Sequence, residues 1–122
     1  MNKLFSKRQR AILRDLVRKA HEREMHKLLS PIAEDFDAWR SGKKDLWDVV
    51  DKLDGYSKAR KSTSGSYRDP GLAHFMVARA VVEGLLQEAE VPAEMLTLLA
   101  GPISFYRESQ AEDSSASEEL DA

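Results

Sequence analysis

The 122-residue chain contains no cysteine, so disulfide staples and thiolate metal sites are excluded from the outset. It has no long apolar run. The basic stretch of residues 1–10 is not followed by the core of a signal peptide, because Arg14, Asp15, Arg18 and Lys19 break the segment where that core would lie. No window holds the roughly 18 apolar residues of a membrane span. Phosphate-cradling glycine loops are missing, as is a nucleophile elbow of the G-x-S-x-G type. Nothing in the spacing of Ser, Asp and Glu suggests a triad or a carboxylate pair. These absences point to a cytoplasmic setting, with no cofactor and no catalytic or metal-binding residue expected.

What is present is charge and helical periodicity. Apolar residues make up 42% and charged residues 33%, a balance that suits amphipathic helices burying one stripe each. The net charge of −2 conceals a partition along the chain. Residues 1–30 carry nine Lys/Arg against three acids, and residues 40–68 carry eight against four. Residues 69–108 carry two against six, and residues 109–122 carry five acids and no base. The distribution, not the total, is the informative quantity.

A first helix opens at Ser6, with Gln9 at the capping-box spacing. Ala11, Ile12, Leu13, Leu16, Val17 and Ala20 form its apolar stripe, and Met25, Leu28, Ile32, Phe36 and Trp39 continue it toward a stop at Gly42. Pro31 either starts a new helix or kinks a single long one; the unbroken register of the stripe favours the kinked helix. Asp45 caps a second, shorter helix carrying Leu46, Val49, Val50 and Leu53, which Gly55 ends or disturbs. Ser57–Asp69 has the composition of an exposed loop. Asp69 and Pro70 begin a strongly apolar third helix through Leu86, in which Ala80 and Gly84, one turn apart, suggest a close helix crossing. Pro92 begins a fourth helical segment, which Gly101-Pro102 interrupts. The expected fold is therefore an all-α bundle of four to five helices over residues 1–108, followed by a disordered acidic tail over 109–122.

The run Val77-Ala78-Arg79-Ala80, with Gly84-Leu85-Leu86 and Glu90-Val91-Pro92, resembles a segment of small bacterial helical proteins. The resemblance spans about 20 residues and implies no activity.

Three features bear on function. His21 and His26 are five residues apart, so they diverge by about 140° around a helix and miss the zinc-protease spacing. Trp39 and Trp47 bracket the Gly42 turn; they are expected to pack at the helix junction, whereas exposure would mark a partner surface. Lys7, Arg10, Arg14 and Arg18 recur at three- to four-residue steps as a basic helix face. Lys58, Arg60, Lys61 and Arg68 add charge, and Tyr67 is placed to stack on a base. The leading expectation is a non-catalytic protein-interaction or regulatory module, with a protein partner or a homodimer formed through the N-terminal helix. The alternative is a nucleic-acid-binding accessory protein using these basic residues, and an enzyme is the third reading. Membrane-surface binding is disfavoured because the apolar stripe is better used in a core.

Overall fold

A computed structural model describes the backbone of residues 5–121 and the side chains of residues 5–113. Five α-helices, α1 (Lys7–Arg40), α2 (Leu46–Arg68), α3 (Ala73–Glu83), α4 (Ala93–Leu98) and α5 (Ala100–Asp121), are joined by short links, two of which contain 3₁₀ turns at Pro70–Leu72 and Glu88–Glu90. No strand occurs among the described residues, and none of the helices is long and apolar enough to cross a membrane.

The start of α1 follows from its capping box. Ser6 Oγ accepts the Gln9 amide at 3.1 Å, and Gln9 Oε1 accepts the Ser6 amide at 2.9 Å. The helix runs through Pro31 without a break and ends where Gly42 takes φ +77°. Pro31 is exposed, so the Lys27 carbonyl that loses its donor can be hydrated. α2 then returns antiparallel along α1, and the two form a helical hairpin.

Several sequence expectations are corrected. Residues 57–68 are not a loop but the second half of α2. Their intrinsic helix propensity is low; their packing is periodic, with Ser64 and Tyr67 buried and Tyr56, Ala59, Arg60 and Thr63 partly so. Burial on α1 overrides composition here. Gly55 does not end the helix. The interruption expected at Gly101-Pro102 falls two residues earlier, at Leu99 between α4 and α5, and Gly101 and Pro102 themselves lie in the first turn of α5, where proline is tolerated. Gly84 is not at a helix crossing: it caps α3 at φ +82°, and a Cβ built there meets nothing within 4 Å. The Leu85 amide returns to the Ala80 carbonyl at 2.8 Å, closing the helix end as a left-handed cap does. Residues 109–113 continue α5 with no break at the expected tail boundary. The side chains from 114 onward, on which the disordered-tail expectation chiefly rests, lie outside those described.

The main core sits at one end of the hairpin. Leu13, Leu16 and Ala20 of α1 meet Val77, Ala80 and Val81 of α3, with Leu86, Met95, Leu99 and Ile103 closing the cluster. The N-terminal stripe is thus covered within the chain, with Ile12 and Val17 partly buried against it. The stripe expected to pair with a second copy is therefore largely used within the chain, with Ile12 and Val17 keeping part of their surface. The acidic C-terminal half also clamps the basic helix. Arg23 makes a fork to both Glu90 oxygens at 2.7 Å and donates to the Leu85 carbonyl at 2.8 Å. Lys19 lies 3.6 Å from Glu90, and Arg8 pairs with Glu94.

Two outcomes are expected. Gly84→Ala should destabilise by about 1 kcal/mol, the cost of a Cβ in left-handed backbone, as read by urea unfolding; stabilisation would contradict the cap. The Arg23 guanidinium, aided by the Gln87 amide, holds the Glu90 carboxyl down at about 2. Because the folded value is depressed, this contribution is complete above the ordinary carboxylate range and is lost as pH falls toward about 2. Glu90→Gln should therefore be less stable than wild type at neutral pH, and the gap should close on acidification. A gap that is constant with pH would contradict the pairing.

Candidate functional site

At the base of the hairpin, α1, the last turn of α2 and the Pro70–Leu72 turn enclose a cleft of about 340 Å³. Val17, Tyr67, Pro70 and Ala73 supply apolar walls, and Arg14, Arg18, Arg68, His21 and Asp69 supply the polar ones. The helical repeat brings Arg14 and Arg18 to one side of α1, and the antiparallel return of α2 delivers Arg68 opposite them. Of the residues singled out in the sequence, Arg14, Arg18, Tyr67 and Arg68 come together here. Arg10 and Arg14 line a narrower pocket next to it with Phe5, Leu13 and His74, and Arg10 donates to the Phe5 carbonyl at 3.1 Å. Lys61 precedes Arg68 by seven residues and shares its side of α2. Lys7 and Lys58 are exposed and Arg60 is half-buried; none of the three lines this cleft.

Tyr67 does not have the role expected of it. It is buried, with His21 stacked on its ring at 4.6 Å and 17°, and the Arg79 guanidinium 5.5 Å from its centroid. Little of its ring is left open to a base. His21 Nε2 is hydrogen-bonded to Ser64 Oγ at 3.0 Å. Arg79 Nη2 donates to Tyr67 Oη at 3.3 Å and to Glu24 Oε2 at 3.0 Å. Burial pushes the Tyr67 hydroxyl above the usual phenol range, so it stays neutral and serves as a structural link between α1, α2 and α3. His26 is exposed and lies away from this network, beside Ser30. Among the described residues no group of three His, Asp or Glu side chains is placed to hold a metal ion.

The second notable surface is at the other end of the hairpin. Trp39 and Trp47 do not pack at the junction as expected: they are 39% and 66% exposed, and Leu29, Leu46 and Leu53 are exposed by 40–48%. Ile32 and Val49 are buried between α1 and α2 but lie outside the main core. The helical repeat puts Leu29 and Phe36 on one flank of the row on α1 that faces α2. It puts Leu46, Val50 and Leu53 on the matching flank of α2, and in an antiparallel pair those flanks lie on the same side. The opposite side of this half-hairpin is a concavity lined by Pro31, Lys44, Asp48, Asp51, Lys52 and Tyr56 among others. Asp35 is buried beneath the hairpin turn and bonded by Lys44, with Lys52 at 3.9 Å; the Lys44 ammonium holds its carboxyl below the ordinary range.

Tyr67→Phe should cost about 1 kcal/mol by removing the hydroxyl between Glu24 and Arg79, as measured by thermal or urea unfolding. An unchanged stability would show that the hydroxyl links nothing. Comparison of the chain with protein-family models, with curated proteins and with solved structures finds no match.

Proposed function

We propose that the protein is a non-catalytic interaction module, and that the surface through which it interacts is the open face of the distal hairpin. The observation that carries this reading is the exposure of Trp39 and Trp47 beside Leu29, Leu46 and Leu53. An apolar helix face is stable when covered by another layer. Here the helices that could cover it are gathered at the other end of α1. Exposed tryptophans are favoured anchors for a partner.

The occupant that best fits is a second copy of the chain. The face has an uncharged centre, so like meets like without burying a charge, as a two-fold interface requires. Its rim carries both signs, with Arg40 and Lys43 near the turn and Asp54 along α2, so pairing is not opposed by charge of one sign. Two hairpins laid face to face form a four-helix arrangement. The homodimer expected of α1 is thereby moved from its N-terminal stripe to its C-terminal half. A cytoplasmic setting suits a chain without cysteine.

Light scattering tests this reading. Wild type should have twice the 13.8 kDa chain mass at high concentration and fall toward the monomer mass on dilution. Trp47→Ala and Leu53→Asp should each shift it to the monomer with circular dichroism unchanged. A wild-type mass of 13.8 kDa up to about 1 mM would overturn the self-association.

A further inference from the structure

The cations of this chain fall into two groups. Arg8, Lys19, Arg23, Lys44, Lys52, Arg79 and Arg107 are each paired with an acid on another segment or a neighbouring turn. These pairs hold the fold together. The cleft arginines are different. Arg14 and Arg68 form no hydrogen bond or ion pair with any described residue, and Arg18 has only a 3.7 Å approach to Asp15, with both side chains more than three-quarters exposed. Other unpaired cations, among them Lys27, Arg40 and Lys43, are scattered toward the hairpin turn. At the base, three guanidinium groups from two helices line one concavity.

The cleft contains one acid, Asp69, whose Oδ1 is engaged by the Gly71 amide at 2.9 Å. Positive charge on three arginines is therefore left largely uncompensated within a concave surface. Two further lysines extend it: the helical repeat places Lys7 on the same side of α1 as Arg14 and Arg18, and Lys61 on the same side of α2 as Arg68. The result is an elongated basic face rather than a point site. Such a shape suits a polyanion with regularly repeated charges better than a single phosphate. The planar guanidinium fork matches phosphate oxygens in pairs.

We infer that this face, centred on Arg14, Arg18 and Arg68, binds the phosphodiester backbone of a nucleic acid. It is separate from the apolar face at the hairpin turn and does not depend on that face being paired. With Tyr67 buried and its ring stacked on His21, the cleft offers little tyrosine surface to a base. Binding is then electrostatic and independent of sequence, and so it is strongly salt-dependent.

The test is fluorescence anisotropy with a short labelled DNA duplex and a labelled single-stranded RNA, on full-length protein at about 50 and about 200 mM salt. With five cations engaged and a slope near −0.9 per phosphate, duplex affinity should fall by a factor on the order of 10²–10³ over that range. Combined Arg14→Ala, Arg18→Ala and Arg68→Ala substitutions should weaken binding and reduce the fall to about tenfold. All three side chains are exposed, so circular dichroism should not change. Combined Lys27→Ala, Arg40→Ala and Lys43→Ala substitutions remove the same charge at the far end and should leave binding nearly intact. Absence of binding to both probes at the lower salt would overturn the inference. So would equal weakening by the two sets of substitutions, which would reduce the effect to net charge.

Discussion

A helix of 34 residues is about 51 Å long, and α3, α4 and the start of α5, packed at one end of it, do not cover it. This mismatch between α1 and the core organises the rest of the structure. The apolar residues of α3, α4 and α5 close around Leu13, Leu16 and Ala20 and reach no further along α1 than its middle. Beyond Ala20, α1 relies on ion pairs to the C-terminal half and on α2. Near the hairpin turn only α2 remains, and the buried side chains there are Ile32, Val49 and Asp35. Two helices alone bury a single seam. The exposed Trp47 and its apolar neighbours are the direct consequence.

The charge partition along the sequence has a corresponding internal role. The basic first helix is clamped by acids from the second half of the chain: Arg8 by Glu94, and Lys19 and Arg23 by Glu90. Arg79 reverses the sense by reaching back to Glu24. Part of the asymmetry that reads as a signal for an external partner is therefore spent on holding the chain to itself. Arg14 and Arg18 are not paired with any of these C-terminal acids, and they face Arg68 across the cleft. Exposed ion pairs contribute little each, but the Arg23 fork on Glu90 is two-pronged and joins segments 67 residues apart.

Local chemistry was legible in the sequence. Ser6 with Gln9, Gly42 and Asp69 stand at helix ends as read, because caps depend on residues within a turn or two. The long N-terminal helix running through Pro31 was legible because its apolar register survives the proline. What escaped depends on contacts distant in sequence. The Ser-, Thr- and Gly-rich second half of α2 is helical because Ser64 and Tyr67 are buried against α1, which composition does not report. Gly84 looked like a helix-crossing residue because Leu85 and Leu86 prolong the apolar run, yet those leucines lie past the helix end and fold back into the core. Tyr67 and the tryptophans were placed the wrong way round for one reason: sequence gives aromatic character, while exposure is decided by where the third layer of helices ends. Arg14, Arg18 and Arg68 were each identified as candidates, but their convergence follows only from the antiparallel return of α2.

The hairpin turn is thinly supported by its own chain, and on the proposed reading a second copy completes it. Hydrogen exchange along the chain, measured by mass spectrometry at two protein concentrations, tests it most directly. At high dilution, amides in residues 28–55 should exchange well ahead of those in α3 and the first half of α5, since few buried contacts hold the distal hairpin closed. At high concentration their protection should rise while that of the core stays constant. Uniform protection along α1, unaffected by concentration, would show that the distal hairpin is stable on its own and would contradict the account.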